Sequence, residues 1–242
     1  MISKSQIKLI TSLKQKKYRA IEGLFVAEGP KVIAELIASN MELHSHFSSE
    51  INAVENDKTH KITATELKKI SFLTTANKSL ALFEIPQISE VNKSGLTVVL
   101  DAIRDPGNLG TIIRLCDWFG VEQLVCSLDT VDCYNPKVIQ ATMGSIARVN
   151  VHYIDVSAFI KNTELPVYGG VMNGNSIYNE ALPADAIVVL GNEANGISKV
   201  IMEQLTHRIT IPQFGKSQET DSLNVATATA VLLSEFRRTT GM

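Results

Sequence analysis

Three short segments of this 242-residue chain concentrate the residue types that do chemistry. "RDPGNLGTIIR" (104–114) sets Asn108 and Arg114 behind a Pro-Gly bend, and "GNEANGIS" (191–198) carries Glu193. "IPQFGKSQETDSLNVA" (211–226) brings Ser222 and Asn224 to the start of an apolar helical pattern. Each segment follows an apolar run of strand character and is rich in Gly, Asn or Ser. Any one alone is an ordinary turn, because Pro-Gly, Asn-Gly and Asp-Ser clusters are common turn formers. Together they supply backbone amides, carboxamides and a carboxylate, a mixture suited to a polar, adenosine-like ligand. The usual nucleotide fingerprints would not hold it, since the chain has neither GxxxxGK[ST] nor a well-placed GxGxxG after a strand.

The elements that must position these segments follow from periodicity. From residue 96 onward apolar strands alternate with helical patterns: a strand at 97–100, a helix at about 108–119 stopped by Gly120, and a strand at 123–126. Asn135 and Pro136 form an N-cap and first-turn pair for a helix through about Ala147, followed by a strand at 149–154. Further strands are expected at 167–172, 186–190 and 208–211, and a last helix at about 223–238. Such alternation predicts an α/β fold with a mostly parallel sheet covered by helices on both faces. Ligands of such sheets collect at the carboxyl ends of the strands, where all three segments fall. Upstream, a basic helix, strands near 24–27, 43–47 and 80–85, and helices from Pro30 and over 64–70 predict a second, small α/β unit. The polar stretch "SEVNKSG" (89–95) is the expected linker, giving domains at 1–90 and 91–242.

Composition narrows the class. With 45% apolar and 20% charged residues the chain reads as globular, and its longest apolar runs fall well short of the roughly 20 residues of a membrane helix. No membrane association and a cytoplasmic location are expected. Cys116, Cys126 and Cys133 lack CxxC spacing, and His44 and His46 form only an "HSH" pair, so neither a disulfide framework nor a metal site is expected. The net charge of −2 hides an asymmetry: Lys4, Lys8, Lys14, Lys16, Lys17 and Arg19 all precede the first acidic residue, Glu22. That end is either a solvated helix face or a surface for phosphate.

The motifs, in order, resemble the SpoU/TrmH branch of the SPOUT RNA methyltransferases. "DPGNLGTIIRLCDWFG", "VVLGNEANGIS" and "IPQFGKSQETDSLNVATATAVLLSEFRR" are similar to the family's three motifs, and "NPKVIQATMGSIARVNV" to its internal helix and strand. The likeness runs from about Leu96 to Arg238, while "FVAEGPKVIAEL" is similar, more weakly, to the ribosomal-protein-like substrate-binding domain often attached to these enzymes. The resemblance implies a C-terminal SPOUT domain with a deep trefoil knot, S-adenosyl-L-methionine bound within it, and a homodimer whose active sites use both subunits. It implies methyl transfer to a ribose 2′-hydroxyl in structured RNA, ribosomal RNA favoured over transfer RNA.

By motif position Arg114 matches the family's catalytic arginine and Asn108 the asparagine supporting it, with Glu193, Ser222 and Asn224 as the remaining polar set. Gly191, Ile211 and Leu223 match positions that contact the cofactor through backbone groups; by residue type alone they are strand ends and core. A guanidinium holds its proton at any ordinary pH, so stabilising an alkoxide and clamping the adjacent phosphate suits Arg114 better than acting as a free base. With RNA as substrate, Lys14, Lys16, Lys17 and Arg19 become its expected phosphate contacts. The segment "PQFGKSQETD" departs from the compact glycine loop usual there, leaving the roles of Lys216 and Glu219 open. Two alternatives remain: a catalytically inactive knotted RNA-binding protein, and a nucleotide-dependent oxidoreductase, against which the missing GxGxxG speaks.

Overall fold

The computed structural model of the chain describes residues 1–50, 57–87, 89–92, 94–215 and 222–239. In chain order its first elements are α1 (Lys4–Ser12), α2 (Lys16–Glu22), β1 (Leu24–Glu28), α3 (Pro30–Ala38), β2 (Leu43–Ser48), β3 (Thr59–Lys61), α4 (Ala64–Ile70) and β4 (Ser79–Glu84). β5 (Leu96–Leu100), α5 (Pro106–Trp118), β6 (Gln123–Cys126), α6 (Pro136–Thr142), β7 (Asn150–Tyr153) and α7 (Val156–Lys161) follow. The chain continues through β8 (Val167–Ser176), β9 (Ala186–Leu190), α8 (Lys199–Met202), β10 (His207–Thr210) and α9 (Val225–Thr239). Two compact units result: Met1–Gln87 with Asp132–Ala147, and Ile88–Val131 with Arg148–Met242. The stretch containing α6 therefore packs with the N-terminal elements.

In the first unit the sheet order is β1-β4-β2-β3, antiparallel except for the β2–β3 pair. β1 is buried at every position because both its faces are covered. Leu24 and Val26 join Leu80, Leu82, Ile10, Leu13 and Leu67 in one core. The alternate Phe25 meets Phe83 at 5.7 Å and Tyr134, just ahead of α6, at 5.0 Å between ring centroids. The basic N-terminal helix is in fact two, α1 and α2. At the break, the Arg19 guanidinium donates to the carbonyls of Leu13 (2.7 Å) and Lys14 (3.0 Å), which a continuous helix would have satisfied internally. α6 ends earlier than the expected Ala147: Met143 (φ 52°) and Gly144 (φ 99°) reverse the chain, and a 3-10 turn at Ser145–Ala147 follows. A Cβ on Gly144 would lie 2.3 Å from Glu35 Cγ, so glycine is required there.

The second unit holds a six-stranded, wholly parallel sheet in the order β10-β8-β9-β5-β6-β7. Val99, Val125 and Val189 pack with α7 and α8 through Val156, Ile160 and Ile201. Period-2 alternation turns Val98, Leu124 and Val188 to the opposite face, where the buried sides of α5 and α9 supply Ile112, Cys116, Leu233 and Phe236. Arg237 on α9 donates from Nε to the Phe119 carbonyl and from Nη2 to that of Gly120, both at 2.7 Å. A cation thus satisfies the carboxyl end of α5. β8 is longer than the expected 167–172, and its pairing with β10 jumps from Gly169↔Arg208 to Asn175↔Ile209, which loops out residues 170–174. Among the described residues no helix is long and apolar enough to cross a membrane.

One buried side chain of the first unit links its stability to pH. His46 on β2 is buried, its Nδ1 3.5 Å from Thr59 Oγ1 and its Nε2 without a partner among the described residues. Burial lowers its proton affinity below the usual value. The unfolded chain takes up that proton near pH ~6.5 whereas the folded chain resists it, so stability is full above that value and is lost as pH falls through it. Denaturant midpoints measured from pH 7.5 down to 5 are expected to decline, with a shallower slope in His46→Gln.

Candidate active site

The geometry starts from strand direction. Because β5, β9 and β10 run parallel, their carboxyl ends at Leu100, Leu190 and Thr210 lie on one edge of the sheet, and Leu100 pairs directly with Leu190. The three chemically rich segments leave from that edge. Asp105 caps α5, accepting from the Asn108 amide at 2.8 Å, and Pro106 occupies its first turn. Asn108 is thereby fixed with its side chain aimed at the other two loops.

Its Nδ2 donates to Glu193 Oε1 at 2.8 Å, and its Oδ1 accepts from Asn224 Nδ2 at 2.9 Å. Asn224 in turn caps α9, its Oδ1 accepting from the amides of Ala226 (2.9 Å) and Thr227 (3.3 Å). One carboxamide chain therefore ties together residues 85 and 116 positions from Asn108 in sequence. A carboxylate at its end makes the first bond charge-assisted and the stronger of the two.

Beside this chain lies a cavity of about 540 Å³, within the range of small-molecule and cofactor sites. Gly191, Ile211 and Leu223 line it, as do Glu193, Ser222 and Asn224. Gly170, Val171 and Met172, from the looped-out part of β8, form a wall that strand periodicity did not foresee. The signal available in sequence was the glycine-rich "GGVMNG" inside a strand pattern. A Cβ on Gly191 would lie 2.1 Å from the backbone of Gly196 and Ile197, so the narrow 191–196 loop demands glycine at its root.

Arg114 stands apart from the carboxamide chain. It is exposed on α5, outside the cavity lining, and makes no hydrogen bond or ion pair with any described residue. Six residues carry it over one and a half turns beyond Asn108, to a different side of the helix, at about 3.6 residues per turn. Cys116, on the same helix, is fully buried, and burial together with the nearby Asp117 pushes its thiol up to about 12, which makes it inert.

On the first unit Lys14, Lys16 and Lys17 are exposed. Arg19, grouped with them from sequence, differs: it is 2% exposed, and besides gripping two carbonyls it donates from Nε to Asp132 Oδ2 at 2.9 Å. A guanidinium held in this way is a structural ion pair rather than an RNA contact, because it is itself buried and withdrawing it would leave a partly buried carboxylate and two carbonyls without their donor. Lys216 and Glu219 lie outside the described residues, as does Lys93 of the expected linker.

The model of the SpoU rRNA Methylase family matches residues 95–234, more than half of the chain and all three loops. The chain belongs to the SpoU rRNA methylase family. A second model, the MRM3-like substrate binding domain, matches residues 4–81 of the SpoU chain's N-terminal part. The SpoU chain is 25% identical over 234 residues to the 23S rRNA (guanosine(2553)-2′-O)-methyltransferase RlmP of Bacillus subtilis, covering 93% of each. It is 26% identical to a 23S rRNA (guanosine-2′-O-)-methyltransferase RlmB of Neisseria meningitidis, covering 91% of this chain and 88% of the relative. Among solved structures, a TrmH-family protein from Porphyromonas gingivalis superposes with a TM-score of 0.87 at 38% identity, over 98% of this chain and 99% of that one. An AdoMet-bound rRNA methyltransferase from Sinorhizobium meliloti superposes with a TM-score of 0.84 at 25% identity, over 98% and 97%.

Gly191→Ala is expected to force the 191–196 loop apart and destabilise the protein by about 1–3 kcal/mol, the usual range for overpacking. Urea unfolding of the variant against wild type measures it.

Proposed function

We propose that this SpoU-family protein transfers a methyl group from S-adenosylmethionine to a ribose 2′-hydroxyl of ribosomal RNA, in the cytoplasm. The observation that carries this is the cavity set against the Glu193–Asn108–Asn224 chain. Its lining suits the cofactor: apolar side chains and loop backbone predominate, Glu193 is the one charged residue among the described lining, and no Lys or Arg is present there. That chemistry fits a cationic ligand, whose positive charge the Glu193 carboxylate complements. When bound, S-adenosylmethionine supplies a methyl group already activated on a sulfonium.

What remains for the chain is orientation, charge stabilisation and exclusion of water. Gly191, Ile211 and Leu223, which line the cavity, would hold the cofactor through backbone groups. Asn108, locked from both sides, fixes the start of α5 and with it the course of the helix to Arg114. Arg114 stabilises the developing 2′-alkoxide and clamps the neighbouring phosphate, which suits a guanidinium's planar, multiply donating group. Glu193, Ser222 and Asn224 organise the substrate side. In this reading the C-terminal part is a trefoil knot and the protein a homodimer. The exposure of Arg114 and its position outside its own chain's cavity lining support a role for it at the cavity of a second copy.

Mapping 2′-O-methylation across total RNA from cells with and without the protein tests the assignment: one ribosomal site is expected to vanish, and an unchanged map or a vanished transfer-RNA site refutes it. Arg114→Ala and Glu193→Ala are each expected to abolish transfer with the fold intact. Mixed and allowed to exchange subunits, the two should recover activity to roughly a quarter of wild type by random pairing in a symmetric dimer. No recovery would place Arg114 in its own chain's site.

Lys14, Lys16 and Lys17 on the first unit are assigned to RNA phosphates. Replacing all three with Ala is expected to weaken RNA binding and flatten its salt dependence, by a slope of about 0.7–0.9 for each phosphate that is no longer neutralised. Calorimetric affinity for S-adenosylmethionine should not change.

A further inference from the structure

We propose that Asn192 is a positioning residue for methyl transfer, acting as a clamp that holds a left-handed bend at Ala102 and so sets the origin of the catalytic helix. The proposal rests on the methyltransferase reading of the site.

Ala102, between the end of β5 and the Asp105 cap of α5, has φ 60°, a conformation that a residue bearing a Cβ rarely adopts. Both of its peptide groups are gripped. Its N–H donates to Ser127 Oγ at 2.8 Å, and its carbonyl accepts from Asn192 Nδ2 at 2.7 Å. The preceding residue is held as well: the buried Asp101 carboxylate accepts from the Ser198 amide at 2.7 Å, and the Asp101 amide donates to the Leu190 carbonyl at 2.9 Å.

Asn192 is suited to this task because its two side-chain atoms do different jobs. Its Oδ1 closes its own loop, accepting from the amides of Ala194 (3.0 Å) and Asn195 (3.2 Å), while the backbones of Asn192 and Gly196 exchange bonds of 3.0 and 2.8 Å. That leaves Nδ2 rigidly aimed at Ala102. The next residue, Glu193, accepts from Asn108. Two consecutive residues of the cavity loop thus hold the catalytic segment at two points, one before the Asp105 cap and one after it. Without the first hold, Ala102 has every reason to relax to negative φ, and the start of α5 moves with it. Misplacement of this size is enough to slow chemistry while leaving the cavity intact.

Asn192→Asp isolates the donor, since it keeps the size and the loop-closing oxygen but sets a carboxylate against the Ala102 carbonyl. The expected result is a fall in kcat of roughly tenfold or more, with no weakening of KM or calorimetric Kd for S-adenosylmethionine, since Asn192 itself lines the cavity and the added carboxylate there favours a cation. Hydrogen exchange across residues 102–109, read by mass spectrometry, should quicken. Adding Ala102→Gly should restore most of both, because glycine adopts positive φ without a clamp. Ser127→Ala, which removes the hold on the Ala102 N–H away from the cavity, should show the same signature and the same rescue, and it serves if Asn192→Asp does not fold. Wild-type kcat in both variants, failure of Ala102→Gly to rescue, or a loss of cofactor affinity matching the fall in kcat would overturn the proposal. If wild-type protein methylates no RNA, the methyltransferase reading fails, and the exchange arm still decides whether the clamp exists.

Discussion

Every strand of the six-stranded sheet runs in the same direction, and the site depends on that constraint more than on any side chain. Parallel strands must return by crossovers, so each strand end at one edge opens into a loop rather than a hairpin. β5 and β9 are neighbours in register, which brings the segments after Leu100 and Leu190 side by side. β10 joins the same edge through β8, at the cost of looping out residues 170–174. Those residues then become cavity wall, so an irregularity in pairing supplies part of the binding surface.

Within that frame polar contacts do the aligning. Asn108 can serve two loops because a carboxamide both donates and accepts, and it does so with Glu193 on one side and Asn224 on the other. An Asp or a Leu at the same position would satisfy at most one. The loop carrying Glu193 is narrow enough that its root must be glycine, since any side chain at Gly191 meets the backbone of Gly196. Rigidity here has a functional meaning: orientation is most of what a pre-activated methyl donor leaves for the protein to provide.

The N-terminal unit shows how basic residues serve two purposes within a few positions. Lys14, Lys16 and Lys17 point to solvent, whereas Arg19 turns inward to Asp132 and to the carbonyls freed where α1 gives way to α2. The choice follows from chemistry. A planar guanidinium can bridge a carboxylate and two carbonyls at once, and it is more weakly hydrated than an ammonium, so burial costs it less. Its partner comes from a stretch more than a hundred residues away, which no local pattern announces.

Local periodicity was sufficient for most of the architecture. The strands at 123–126 and 186–190 and the helix at 64–70 stand where apolar spacing put them, and Pro136 and Gly120 mark helix ends by stereochemistry alone, whereas α5 starts at Pro106 rather than at the expected 108, so that the Pro-Gly pair is its first turn and not a bend before it. Short elements such as β3, α7 and α8 escaped because three to six residues carry too little periodic signal. The three loops were legible as chemical segments, and their order carried the family likeness. Tertiary structure alone decided the rest: that Asn108 bridges Glu193 and Asn224, that Arg19 is buried, that residues 170–174 form a wall, and that Ala102 is held left-handed by Asn192. Each is a contact between residues far apart in the chain, and the energy that selects it exists only once the strands have brought its two ends together.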